Sequence, residues 1–331
     1  MDLDAYSAAH ADEWDRLDAL ARRRRFAGRD ADELIDHYQA AATHLSAIST
    51  TAGDVPQRER LSVALSRARL RFTGAQAEPL AQLARYATRE VPAALYRIRY
   101  LTLVVAVVFA IVATLYAVWI GSNPAVIASL GDYETLRRYA EQDFVNYYSE
   151  SSEASFAGQV WVNNAWIAAQ CVAFGISGFW VPFVVLQNAQ GVGQSAAIMA
   201  EFDRLDVFFL NIAPHGQLEL YCIFVAAAAG LMIFWAWVAP GSRTRLQALA
   251  EDGRALFAVI GGLVVGLLVS GIIEGYVTRQ EWPDVIRIGI GTLALAWFLW
   301  VQWVVGRAAT RDGETGDLDP ISRGARVVVA D

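Results

Sequence analysis

Residues 101–120 run LTLVVAVVFAIVATLYAVWI, twenty consecutive positions without a charged side chain. As a helix this stretch is about 30 Å long, which matches the hydrocarbon core of a bilayer, so it is predicted to cross a membrane. Arg97 and Arg99 stand just before it, and the tendency of arginine to stay inside places the preceding residues in the cytoplasm. Further apolar stretches predict spans at about 165–186, 218–239, 256–277 and 285–305. Trp119, Trp161, Trp235, Trp237, Trp282 and Trp303 fall near span ends, where amphipathic rings sit at the headgroup level.

Composition agrees with this reading. Of 331 residues 55% are hydrophobic and only 18% charged, too apolar for a soluble globule of this size, so the excess faces lipid. The charge is concentrated in residues 1–99, which divides the chain into a cytoplasmic helical domain (1–99), a multi-pass transmembrane domain (100–306) and a flexible cytoplasmic tail (307–331). The predicted fold class is all-α, a polytopic membrane helix bundle with an N-terminal cytoplasmic helical bundle. The net charge of −7 argues against a nucleic-acid partner, and every basic residue is arginine. No short apolar leader opens the chain, which keeps the first domain in the cytoplasm. Cys171 and Cys222 both sit in apolar runs and read as small buried hydrophobes.

The first domain is punctuated as helices. Trp14, Leu17, Leu20 and Ala21 recur at helical spacing before the run Arg22 to Arg25, and Asp30 with Glu33 reads as a capping box. Leu34, Tyr38, Ala41, Leu45 and Ile48 form one narrow face, and Leu61, Leu65, Ala68 and Phe72 repeat the stepping behind Asp54 and Pro56. A fourth segment runs from about Glu78. Such helices bury a shared seam as a bundle, and the arginine runs read as a solvated face.

Between the first two spans, Tyr133, Leu136, Ala140, Phe144 and Tyr147 share a face of an amphipathic outer helix, expected to pack on the protein or lie on the leaflet. The segment 188–214 is ambiguous. Asn188 and the group Glu201, Asp203, Arg204 and Asp206 interrupt its apolar runs, and it is predicted to be a broken or re-entrant helix enclosed by its neighbours. Topology turns on it. An even number of crossings keeps Arg243, Arg245, Arg254, Arg307 and Arg311 inside, with both termini cytoplasmic.

His215 and Glu219 are four residues apart, on one helical face at the start of the third span. If that span and the next are antiparallel neighbours, Glu274 shares their depth. Gly262, Gly266 and Ser270 step by four toward Glu274, and Gly230 continues the face of Glu219, so both helices carry close-packing stripes. Three uses of the cluster stay open: tying helix ends by hydrogen bonds, a permeation or proton-handling path, and a metal site. No HExxH pattern accompanies it, so no metal is assigned. No GxxxxGK loop is present, so neither ATP hydrolysis nor a cofactor is expected.

Pro214, His215 and Gly216 followed by Glu219, the run Ala226 to Gly230, and Ile273, Glu274 and Thr278 together resemble the stage II sporulation protein M family of bacterial membrane proteins. Gln217 and Leu218 separate the His-Gly and Glu219 positions as in that family. Trp14, Leu17, Leu20 and Tyr38 resemble the cytoplasmic extension of its long, mostly actinobacterial members. The resemblance implies a scaffold in the bacterial cytoplasmic membrane, which in endospore formers holds peptidoglycan-degrading partners during engulfment. Two functions follow as expectations. One is a non-enzymatic scaffold or envelope-remodelling component that recruits envelope or membrane proteins, with its small-residue stripes packing either within one chain or between the subunits of a homodimer. The other is a channel, transporter or lipid-handling protein using His215, Glu219 and Glu274, with an intramembrane metalloenzyme as a third and weaker reading.

Overall fold

The structure is a computed structural model that describes residues 3–23, 28–51, 56–72, 79–144 and 153–317, and the described residues are helical with no strand among them. The chain divides into two compact units, residues 1–82 and 83–331, so residues 83–99 go with the membrane unit rather than with the first domain as expected.

The N-terminal unit holds α1 (Leu3–Arg22), α2 (Gly28–Thr51) and α3 (Pro56–Phe72), each packed on the other two. Its core is Trp14, Leu17, Leu20, Leu34, Ala41, Ile48, Leu61, Leu65 and Ala68, with Tyr38 and Leu45 half-buried beside it. The side chain of Phe72 and residues Arg24 and Arg25 lie outside the described residues. Several arginines face acids, Arg16 meeting Glu33 at 2.6 Å, Arg67 meeting Asp18 at 2.8 Å and Arg23 meeting Asp30 at 2.7 Å, whereas Arg71 donates to the Ala21 carbonyl at 2.9 Å. Asp30 and Glu33 therefore act inside a helix that opens at Gly28 instead of capping it. Exposed pairs of this kind contribute about 0–1 kcal/mol each, so burial of the seam residues holds the unit together.

The second unit begins at the end of α4 (Pro79–Arg85), which leads through a π-helical turn, Tyr86–Glu90, into α5 (Val91–Arg97). Then come α6 (Arg99–Gly121), α7 (Pro124–Leu130) and α8 (Tyr133–Arg138), the last continued by a π turn at Tyr139–Asp143. The chain resumes with α9 (Glu153–Ala173), α10 (Trp180–Glu201), α11 (Leu205–Val238) and α12 (Arg245–Ile272), which is extended by a π turn, Ile273–Thr278. It closes with α13 (Asp284–Trp300), the π turn Val301–Val305 and α14 (Gly306–Arg311).

Four helical stretches are long and apolar enough to cross a membrane: Arg99–Gly121, Leu205–Val238, Arg245–Thr278 and Asp284–Arg311. Helix α11 is central, packed by α6, α9, α10, α12 and α13, and Ala226 to Gly230 are all buried. The outward faces are apolar too. Val104, Val107, Val108, Ile111 and Leu115 of α6 are exposed, as lipid-facing side chains are.

Three expectations need correction. Residues 165–186 are not one helix: α9 ends at Ala173, a short 3-10 turn spans Gly175–Ser177, and α10 starts at Trp180. Gly178 takes φ 75°, a left-handed value that glycine adopts without strain, and Gly175 abuts the backbone of Gly230 so closely that a Cβ has no room. The break stays apolar because Phe174, Ile176 and Phe179 sit in it, and hydropathy does not register it. The segment 188–214 is broken, as expected, but its charged turn is exposed rather than enclosed. Helix α10 runs to Glu201, Phe202–Arg204 form a tight turn with Asp203 at φ 53°, and α11 then carries Pro214 inside it. The tail is docked through residue 317: Arg85 binds Glu314 at 2.8 Å and Arg254 binds Asp317 through two bonds at 2.5 and 2.8 Å. Residues 318–331 lie outside the described residues.

The outer amphipathic stretch packs on the protein. Ala140 is fully buried against Met199 and Phe208, with Tyr139 and Phe144 beside them, while Tyr147 lies outside the described residues.

Candidate functional site

His215, Glu219 and Glu274 come together. Helical spacing places His215 and Glu219 one turn apart on α11, and α12 runs antiparallel beside it, which returns Glu274 to the same level. His215 and Glu274 are 5% and 3% exposed, while Glu219 is partly buried. His215 Nε2 lies 3.6 Å from Glu274 Oε1, and one donor atom from each of the three residues falls within 4.8 Å of the others.

The π turn Ile273–Thr278 makes this possible. A π turn inserts an extra residue into the helical repeat and re-aims the side chains around it, and such turns are common at functional sites. Here Glu274 and Thr278 both face His215. Thr278 Oγ1 donates to the carbonyl of Ile273 at 3.3 Å and stands 3.2 Å from His215 Nδ1. Ser270 Oγ donates to the His215 carbonyl at 3.1 Å and lies 3.4 Å from Glu219 Oε2, while the Asn164 side chain of α9 hydrogen-bonds the Glu219 carboxyl. Glu274 Oε2 is buried with no hydrogen-bond partner among the described residues.

The small residues bring the helices to this distance. A Cβ on Gly266 would meet Cys222 Sγ at 2.6 Å, and one on Gly262 would meet Val91 and Leu95 at 3.2 Å. Gly230 abuts the Cys171 carbonyl. Each of these stripes is therefore filled from within the chain rather than by a second copy.

The secondary polar candidates lie elsewhere. Glu201, Asp203 and Asp206 are exposed at the α10–α11 turn, and Arg204 caps α11 there, roughly 15 Å of helix from His215. Asn188 donates to the Val184 carbonyl at 2.8 Å and lines an outer groove of about 420 Å³ with Gln187, Ser195 and Ile212.

Sequence reasoning missed Asn164, Tyr221, Gln302 and Gly291, and reached Thr278 only through the resemblance. Tyr221 donates to Gln302, and Gln302 donates to the Leu95 carbonyl at 2.9 Å, a buried chain joining α11, the π turn after α13, and α5. Gly291 of α13 lies directly against the Pro214 carbonyl. The available signal was polarity, since Asn164, Thr278 and Gln302 are polar residues in or beside apolar helices, and such residues find partners.

Residues 102–279, more than half of the 331, match the family model for Stage II sporulation protein M, and residues 4–74 match a domain of unknown function, DUF8413. No curated protein and no solved structure matches the chain.

Proposed function

The chain belongs to the stage II sporulation protein M family, and on that premise we propose that it is a non-enzymatic membrane scaffold that gathers envelope or membrane proteins through its N-terminal helical domain. The observation that carries this reading is how the polar side chains inside the bundle are used. They tie helix to helix: Ser270 to the His215 carbonyl, His215 to Thr278, and Tyr221 through Gln302 to Leu95. Buried polar side chains that bond one helix to another rigidify the bundle and specify one packing, which suits a fixed platform better than a path that must open and close.

Orientation follows from charge. Arg85, Arg89, Arg97, Arg243 and Arg254 gather at one end of the bundle, where they pair with Glu314, Asp312, Asp252 and Asp317. That end holds the start of the membrane unit, the α11–α12 connection and the last described residues. In the proposed topology it faces the cytoplasm of a bacterial cell, and both termini lie on that side.

The groove beside Asn188 favours a second reading, a lipid-handling or transport protein. Proteoliposomes separate the two. The scaffold reading expects ion and proton flux no greater than in empty vesicles for the natural chain and for Glu219→Gln and Glu274→Gln alike. A flux that either substitution abolishes overturns it.

A further inference from the structure

We infer that Arg99, with Arg307 beside it, binds the phosphate of an anionic phospholipid at the arginine-rich end of the membrane unit. Neither residue enters the scaffold reading. Five arginines at that end, Arg85, Arg89, Arg97, Arg243 and Arg254, are matched by carboxylates. Arg99 and Arg307 are not, since neither has an ion pair among the described residues. Arg99 is nevertheless held in place. Its guanidinium lies over the Tyr96 ring at 3.6 Å from the centroid and over Tyr100 at 4.2 Å, with Trp303 at 5.7 Å. One terminal nitrogen donates to the Tyr96 carbonyl at 2.7 Å, and Nε is out of solvent without an acceptor. The other terminal nitrogen carries no hydrogen bond among the described residues. A planar cation stacked in this way has its orientation set before any anion arrives, so little freedom is lost on binding.

Position points to a lipid as the source of the anion. Arg99 opens α6, and Tyr100, Val104, Val107 and Ile111 follow at helical spacing on one face, each more than half exposed. That stripe is about 16 Å long at the helical rise per residue, close to the depth of one leaflet of a bilayer core about 30 Å thick. Trp303 meets the Tyr100 ring edge-on at 5.7 Å. Arg307 follows Trp303 by one turn and is exposed, so two cations bracket one pair of aromatic rings. Gly306 makes the juxtaposition possible: a Cβ there would collide with the Pro92 carbonyl and the Tyr96 side chain, so α14 lies directly against α5. The cations mark the polar edge, the amphipathic rings sit at headgroup level, and the apolar stripe beyond them is a track for an acyl chain.

Charge and the use of the rings select the headgroup. A guanidinium and a phosphate form charge-assisted hydrogen bonds of fixed geometry. The Tyr96 and Tyr100 faces already hold the Arg99 cation, so the ammonium of a choline or ethanolamine headgroup meets like charge here instead of a ring or a carboxylate. A glycerol-type headgroup, which carries the phosphate and no cation, fits without that repulsion.

The test uses the full-length protein in detergent micelles, stripped of lipid and titrated with phosphatidylglycerol, phosphatidylcholine or inorganic phosphate, with bound molecules counted by native mass spectrometry. The natural chain should bind phosphatidylglycerol saturably and at least about 5-fold more tightly than phosphatidylcholine. Arg99→Gln and Arg307→Gln should each weaken phosphatidylglycerol by about 5-fold, the worth of one cation at the membrane surface. Arg99→Lys keeps the charge but loses the planar fork and should fall between. Arg245→Gln removes an exposed arginine from the same end and should leave the affinity unchanged. Arg307 is exposed and unpaired, so its variant reports on binding even where loss of the stacked Arg99 lowers stability. Equal affinity for the two lipids, no loss in either glutamine variant, or an equal loss in Arg245→Gln overturns the assignment, the last because it reveals a diffuse surface attraction. Inorganic phosphate that displaces the lipid at equimolar concentration overturns it as well, since the ligand is then the free anion.

Discussion

At the scale of single residues, the buried cluster was legible because His215 and Glu219 keep helical spacing and Glu274 is an acid within an apolar helix. Thr278 and Asn164 were not, since a hydroxyl and an amide carry no charge to mark them and only tertiary contact gives them a role. The histidines of the N-terminal unit show the same limit. His44 Nδ1 accepts from Trp14 Nε1–H at 3.2 Å, its ring centre is 4.0 Å from that of His10, and Glu13 stands 3.9 Å away. Burial first, then the neighbouring His10, holds the His44 pKa below its ordinary 6.5, with Glu13 opposing. The folded state thus disfavours the proton that the unfolded chain takes up. Stability present above the unfolded value is lost as pH falls below about 6.5. Hydrogen exchange in α2 of the full-length protein, corrected for intrinsic rates, should accelerate from about pH 7 to about pH 5.5, and His44→Gln should flatten that dependence. A natural chain whose protection does not change over that interval contradicts the assignment.

At the scale of elements, the long apolar helices were legible and their breaks were not. The predicted span 101–120 sits inside Arg99–Gly121, and 285–305 sits inside Asp284–Arg311. The predicted start at 218 fell more than three turns short, because the helix begins at Leu205 and carries Pro214 within it. A bundle partner accommodates it: Gly291 of α13 lies against the Pro214 carbonyl where any side chain would collide. Gly291→Ala should therefore lower stability by about 1–3 kcal/mol through overpacking. Gly191→Ala provides the contrast, since a Cβ there meets nothing within 4 Å and removing a helix glycine is worth up to about 1 kcal/mol in the other direction. Denaturation of the two variants in detergent micelles checks both signs at once. Equal effects would show that the close approach of α13 to α11 does not govern packing.

At the scale of the whole molecule, the sequence argued for an even number of crossings from arginine placement alone. The membrane unit offers different parts for such a count. The stretch expected to be a second span is divided between α9 and α10 at Gly175–Gly178, and the stretch expected to be broken is divided between α10 and α11, beside four helical stretches long and apolar enough to cross. The acidic partners of the arginines were invisible because Asp312, Glu314 and Asp317 lie in a stretch with no hydrophobic pattern, whereas their docking depends on ion pairs to Arg89, Arg85 and Arg254. The parity has a direct consequence for labelling. Cys171 and Cys222 are fully buried, so a cysteine introduced on an exposed turn is the accessible thiol. Ser242 lies on the α11–α12 connection and Glu281 on the α12–α13 connection, and both are exposed at opposite ends of α12. With the arginine-rich end in the cytoplasm, a membrane-impermeant maleimide on intact cells should label Glu281→Cys and leave Ser242→Cys untouched, and inverted membrane vesicles should reverse the pattern. Labelling of both from one side would mean that α12 does not cross, and the reversed pattern would place the paired arginines outside, against the charge asymmetry that orients membrane helices.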